Sequence, residues 1–262
     1  MNELSRPGSS QTLRRGLAIL RLLAQVGPSG LRVSEIGRHV ELNKATAIRL
    51  AQALVDERFV SQDVNSGRYR LGPEAFAVGL AAEPTYELQR VCAPLLKELA
   101  ANSGDTVFFS VRHGYEAICL SRDEGDFHIR NQVLKSGDRY PLGVGAASIA
   151  LLSAMPDAEI EDALERNAAV RQARYPLCSR RAIWQLVGET RQQGYCLNPG
   201  LVTPGSWAIG VPVFDEHNHV VAAMSIAAIE QRLGVVRRTA LAQRLAEASA
   251  QVTTYLRLRS KA

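Results

Sequence analysis

The residues best placed to do chemistry lie in one short run. After Leu42 the chain reads Asn43-Lys44-Ala45-Thr46-Ala47-Ile48-Arg49-Leu50-Ala51-Gln52, which sets an ammonium, a hydroxyl, a guanidinium and a carboxamide close together. At about 100° per residue, Ala45, Thr46, Arg49 and Gln52 share one side of a helix, with Lys44 at its first turn. Short polar groups beside long cations suit a helix laid in a major groove. Amides and hydroxyls at its start anchor to phosphate, while a longer donor reaches a base edge. Two more cations, Arg68 and Arg70, stand two apart in "GRYRLG" and would project from one face of a strand. No acid–base or nucleophile pattern competes with this. There is no G-x-S-x-G and no P-loop lysine, and Gly143-x-Gly145 follows no clear strand. His217 and His219 sit in a turn sequence with no evident third ligand, so neither a metal nor a cofactor is expected.

The elements around the run must hold it outward. "TLRRGLAILRLLAQVG" spaces Leu13, Leu17, Leu20 and Ala24 at helical intervals, with Thr12 as N-cap and Gly27-Pro28 as the stop. Ser34 caps a second helix, "SEIGRHVE", short enough that packing must stabilise it. Asn43 caps the third, expected from Lys44 to about Arg58 and docked through Ala47, Ile48, Ala51, Leu54 and Val55. "FVSQDV" and "RYRL" then form a hairpin turned at Asn65-Ser66-Gly67. Three helices and a wing make a winged helix-turn-helix. Ser34, Lys44, Ala45, Thr46, Arg49, Gln52, Arg68 and Arg70 are its candidate contacts to double-stranded DNA.

Charge agrees with that placement. Residues 1–72 hold eleven Lys/Arg against six Asp/Glu, whereas residues 73–262 hold twenty of each, so the whole net charge of +5 sits in the first quarter. Such asymmetry points to a basic module for a polyanion joined to a neutral module with another task. With 262 residues, 46% of them hydrophobic, two domains are expected. No apolar run is long enough to cross a bilayer and the first residues lack a secretion signal, so a cytoplasmic protein without a membrane partner is expected. The four cysteines, Cys92, Cys119, Cys178 and Cys196, are scattered and read as buried thiols.

From Thr85 onward helices and strands mix. "ELQRVCAPLLKELAANSG" reads as a helix, and "TVFFSVR" and "EAICLSR" as paired strands. Helices follow near 145–154, 157–166 and 180–194, then strands 207–214 and 220–228 and a last helix 235–256. The fold class is α+β, with an antiparallel sheet flanked by helices. The last two strands alternate strongly: Ser206, Ala208, Gly210, Ala223, Ser225 and Ala227 face one way, and Trp207, Ile209, Val211, Met224 and Ile226 the other. A row of small side chains means a closely docked helix or room for a ligand. "PLGVGAASIALL" favours the ligand, because a helix starting there presents open N–H groups near Ala146 and Ala147. With Asn198 and Ser225 these amides would hold a carboxylate, leaving an apolar remainder against Ala208 and Ala227. The smallness of the lining suits a bulkier acid, aromatic rather than of two or three carbons.

These segments resemble a known family. "TLRRGLAILRLLA", "SEIGRHVELNKATAIRLAQALVDERFVSQD" and "GRYRLGPEAFAVG" are similar to the N-terminal half of IclR-type transcriptional regulators. Their helix-turn-helix runs close to E-I-A-x-x-x-G-L-P-K-S-T-x-x-R-L-L-x-x-L. "RYPLGVGAASIALL", "RQQGYCLN" and "AIGVPVFDEHNHVVAAMSIAAI" are similar to the effector domain of the same family, so the resemblance spans about Thr12 to Leu233. It implies a GAF-like C-terminal domain and a linker helix starting at Pro73 and broken at Pro84. Mapped motif by motif, it places effector contacts at Ala146, Ala147, Asn198, Ser206, Ala208, Ser225 and Ala227. One departure stands out: Glu41-Leu42-Asn43-Lys44-Ala45-Thr46 replaces Gly-Leu-Pro-Lys-Ser-Thr, and Ala45, lacking the hydroxyl, would face a thymine methyl instead of phosphate.

The expected organisation is a DNA-binding domain at 1–72, a linker helix at 73–84 and an effector and oligomerisation domain at 85–262. The expected function is operator binding controlled by a small organic acid, with no catalysis. The linker's Phe76, Val78, Leu80 and Ala81 would pack on a partner chain, giving a homodimer or a dimer of dimers on a pseudo-palindromic operator. Two readings compete. A protein-interaction adaptor would bind DNA without steep salt dependence, and an enzyme acting on a small acid would not return that acid unchanged.

Overall fold

Helix α1 (Gln11–Val26), α2 (Val33–His39) and α3 (Lys44–Asp56) pack on a core of Ile19, Leu23, Ile36, Leu50 and Ala51. Strands β1 (Val60–Gln62) and β2 (Tyr69–Leu71) pair antiparallel and close that core with Val60 and Tyr69. The computed structural model describes residues 10–82, 88–129 and 134–259. The chain divides into two units, Met1–Tyr86 and Glu87–Ala262.

Several local expectations shift. Ser10, not Thr12, caps α1, since it directly precedes the first helical residue and its hydroxyl accepts from the Leu13 N–H at 3.4 Å. Leu13 and Leu17 are exposed, because the core forms on the stripe through Ile19 and Leu23. Ser34 lies inside α2 rather than capping it: Arg32 takes the cap position and its N–H donates to the Glu35 carboxylate at 2.7 Å. On α3, Asn43 caps as expected, its Oδ1 accepting from the Thr46 N–H at 2.8 Å. Leu50 is buried there and Ile48 is not. Leu50 falls about 60° from Ala47 on the side of Leu54, whereas Ile48 falls about 100° from Ala47 on the other side, beyond Val55.

The wing turn is built by Asp63, whose Oδ1 accepts from both the N–H and the hydroxyl of Ser66 at 2.7 and 2.8 Å. Gly67 follows at φ 65, a conformation that favours glycine. Helix α4 (Pro73–Ala82) leaves its apolar side open, with Phe76, Val78 and Leu80 at 70, 51 and 51% exposure. Pro84, expected to break it, lies outside the described residues.

The second unit opens with α5 (Leu88–Ser103), then β3 (Thr106–His113), β4 (Glu116–Asp123) and β5 (Arg139–Pro141). Next come α6 (Ala146–Ser153), α7 (Asp157–Arg166), α8 (Ala168–Arg174) and α9 (Arg180–Gln193). Strands β6 (Cys196–Thr203), β7 (Ser206–Phe214) and β8 (Val220–Ile229) lead to α10 (Val235–Arg259). The six strands form one sheet in the order β5-β4-β3-β8-β7-β6, with every pair antiparallel. The α+β class holds. Strands β5 and β6 and helix α8 were not expected. β5 has only three residues, β6 carries the Pro199-Gly200 breaker that an edge strand tolerates, and α8 is a short helix rich in arginine.

The alternation of β7 and β8 decides what covers each face. Ile209, Val211, Met224 and Ile226 join Leu96, Leu99 and Leu245 in the core between sheet, α5 and α10. The small residues face α6. A Cβ at Gly210 would meet the Ala146 carbonyl oxygen at 2.8 Å, so only glycine lets α6 dock there. Beyond that contact the same row of small side chains borders a cavity. The docked helix and the empty space therefore coexist.

Candidate nucleic-acid interface and ligand pocket

On the N-terminal unit, Lys44, Ala45, Arg49 and Gln52 are exposed along α3, Thr46 is half-buried at its first turn, and Ser34 is exposed at the start of α2. Gln52 is partly engaged, its Nε2 donating to Asp56 Oδ1 at 2.9 Å. The two wing arginines do not share a free face. Arg68 precedes β2 and its Nη1 donates to the Gly30 carbonyl at 2.8 Å, with Glu35 3.6 Å away, which ties the wing to the helices. Arg70 pairs with Asp63 at 2.8 Å and keeps 44% of its side chain exposed. Backbone donation from Ser66 and its hydroxyl bond hold the Asp63 carboxyl below its ordinary range.

On the C-terminal unit, all seven expected contact residues border one cleft of about 640 Å³, open mouth included. Its floor is the sheet face carrying Phe108, Ser110, Cys119, Ser206, Ala208, Ser225 and Ala227, and its wall is the start of α6. Gly145, at φ 84, occupies the N-cap position and offers no capping side chain. The first backward backbone bond of the helix runs from Ile149 N–H to the Gly145 carbonyl at 3.1 Å. The amides of Ala146, Ala147 and Ser148 thus have no intrahelical acceptor.

Asn198 supplies a second open donor. It is 2% exposed, and its Oδ1 accepts from the Leu201 N–H at 2.9 Å. That bond leaves Nδ2 as the group without a protein partner. The Ser148 hydroxyl is already used, accepting from Gly143 N–H at 2.7 Å and donating to the Pro141 carbonyl at 3.3 Å.

Among the described residues no charged side chain lines the cleft. Burial pushes the Cys119 thiol and the Tyr140 phenol up to about 12, so both stay neutral at ordinary pH. The cleft is an apolar chamber with donors gathered at one end, where an acceptor group fits best. Phe108, Cys119, Tyr140 and Val144 escaped the sequence reading. Phe108 alternates with Ser110 on β3 as a lining residue would, but Tyr140 sits in a strand too short for any pattern.

All four cysteines are buried, and the exposed His217 and His219 occupy the turn between β7 and β8. Among the described residues no group of three or more His, Cys, Asp or Glu is placed to hold a metal ion. No described helix is long and apolar enough to cross a membrane.

A winged helix-turn-helix joined in one chain to an antiparallel-sheet unit defines a DNA-binding transcriptional regulator. Comparison with known proteins gives the family. The IclR helix-turn-helix domain matches residues 12–64, and the domain described as bacterial transcriptional regulator IclR C-terminal matches residues 82–254. The HTH-type transcriptional repressor AllR of Klebsiella pneumoniae is 30% identical over 260 residues, covering 99% of this chain and 95% of its own. AllR of Escherichia coli K12 is 28% identical over 251 residues, 96% of this chain and 92% of its own.

Among solved structures, an Alicyclobacillus acidocaldarius regulator superposes with a TM-score of 0.77 at 22% identity, covering 94% of this chain and 99% of that one. An IclR homologue from Microbacterium hydrocarbonoxydans, complexed with 4-hydroxybenzoate, gives 0.75 at 21% identity with the same coverage. The chain belongs to the IclR family of bacterial transcriptional regulators. The AllR relatives are repressors, and as a family member this chain is a regulator rather than an enzyme.

Proposed function

We propose that this regulator grips a specific operator through α3 and releases or tightens that grip when a small aromatic carboxylate enters the C-terminal cleft. The observation that carries the ligand class is the pairing of an uncapped, buried helix start with the unpartnered Asn198 Nδ2 in a chamber whose described lining carries no charged side chain. The anionic end would sit against the amides of Ala146 and Ala147, with Asn198, Ser206 and Ser225 around it. The ring would lie on Phe108, Ala208 and Ala227. The apolar lining beyond the donors suits a ring better than a two-carbon acid. The homologue complexed with 4-hydroxybenzoate supports the same class.

On the DNA side, Lys44, Thr46 and Ser34 take phosphate, Arg49 and Gln52 reach base edges, Ala45 meets a thymine methyl, and Arg70 lies along the backbone. Arg68 holds the wing in place for that contact. The working division is a DNA-binding domain at 1–72, a linker at 73–84 and an effector domain at 85–262. The exposed apolar side of α4 takes a second copy, so that two recognition helices meet the half-sites of a pseudo-palindrome in a homodimer or a dimer of dimers. The ligand regulates only by binding one arrangement better than another.

Calorimetric titration with 4-hydroxybenzoate, other benzoates, glyoxylate and pyruvate tests the ligand class. Saturable binding of aromatic acids is expected. Binding restricted to glyoxylate or pyruvate would overturn it.

A further inference from the structure

The outward side of α3 carries an apolar strip that its polar members leave unexplained. Ile48 is 43% exposed, although Ala47 and Ala51 beside it are fully buried. Ala45 is exposed three residues earlier, so the two side chains adjoin on the helix surface. Lys44 and Arg49 flank them, which marks the strip for a polyanion rather than for an apolar protein face. Gln52, one turn beyond Ile48, donates to Asp56 at 2.9 Å and leaves Ile48 open to the groove side. The one apolar group that a base edge presents in the major groove is the 5-methyl of thymine.

We propose that Ile48, together with Ala45, reads thymine methyls in each operator half-site, while Arg49 takes the adjacent hydrogen-bonding base edge. This assignment rests on the DNA-binding reading of α3. It makes Ile48 a specificity-determining residue.

The test uses the full-length protein to enrich duplexes from a randomised pool. The winning duplex is then remade with deoxyuridine at each thymine in turn, which removes one methyl and no hydrogen-bonding group. At one or two thymines per half-site, wild-type binding is expected to weaken about fourfold, the effect of one buried methyl. Ile48→Ala is expected to be indifferent to the change at those positions, and Ile48→Val to keep most of the discrimination. The thymine-to-deoxyuridine ratio is read on each protein separately, so a general loss of stability does not imitate the result. A wild type insensitive to deoxyuridine everywhere, or a sensitivity that Ile48→Ala retains in full, overturns the assignment. A pool that yields no enriched sequence overturns the DNA-binding reading beneath it.

Discussion

Helix α3 starts on Asn43, whose carboxamide takes up the Thr46 N–H at 2.8 Å, whereas α6 starts on Gly145, which has no side chain to offer. Solvent location makes the contrast informative. The exposed helix, where water would serve its first amides, is capped. The buried helix, where Ala146, Ala147 and Ser148 are at most 8% exposed, is not. An open donor set in a buried place is unfavourable until an acceptor arrives, and no described side chain of the cleft supplies a charged one. The two starts thus suit the two tasks proposed for them: one surface presented to DNA, one open donor set offered to a carboxylate.

The largest expected effect breaks the second half of that comparison. Asn198→Asp keeps the acceptor for Leu201 N–H but replaces the open donor by a carboxylate. Aromatic-acid affinity should fall roughly 100-fold or more in calorimetry, because like charges then meet in a low-dielectric site. Unchanged affinity would remove Asn198 from the ligand's surroundings. Arg49→Ala comes next and addresses the first half. A loss of ~1–3 kcal/mol on a selected operator, with little change on random duplex, is expected from a bidentate base contact. Equal loss on both duplexes reassigns Arg49 to phosphate.

Two smaller changes sharpen the capped start. Asn43→Ala should lower the stability of the N-terminal unit by ~1 kcal/mol. Glu41→Gly should raise it by about 1 kcal/mol, since Glu41 holds φ 53, a left-handed conformation that glycine adopts freely. Hydrogen exchange of the α2 and α3 amides measures both, and effects of the same sign would contradict the assignment.

A dependence on pH again separates the units. Hydrogen bonds from Arg32 N–H and from Ser66 hold Glu35 and Asp63 below their ordinary 4.5 and 3.8. Their contribution is present above those values and lost as pH falls. Burial raises the thiols of Cys92, Cys119 and Cys196 from 9.0 to about 12, and Tyr140 from 10.0 to about 12. Their contribution is complete below the unfolded values and lost as pH rises. Both tryptophans, Trp184 and Trp207, lie in the C-terminal unit and report its unfolding. Their thermal midpoint should hold steady from about pH 6 to 8 and fall above about 9. A midpoint unchanged to pH 11 would show that the unfolded thiols matter little.

Period and cap chemistry carried much of this fold into the sequence. The alternation of β7 and β8 put large residues on the α5–α10 core and small ones under α6, because a strand's faces differ by one residue and tolerate no blurring. Helical faces are less sharply written. Ile48 and Leu50 differ by 200° on the wheel, yet both are apolar, and only the packing of α1 and α2 selects Leu50. Arg68 reads as a DNA contact because it is a cation in a wing, while its bond to Gly30, 38 residues away, is set by the fold. The cleft's polar end was visible as a glycine before a helix. Its aromatic and thiol walls come from β3, β4 and β5, which only the sheet order brings together.

The open start of α6 is tested most directly by calorimetry of the intact protein with benzoate and with methyl benzoate, the same ring without the charge. A carboxylate that completes the open helix start predicts a saturable site for the acid and binding at least roughly tenfold weaker for the ester. Equal affinity for the two, or heat from neither, would contradict it.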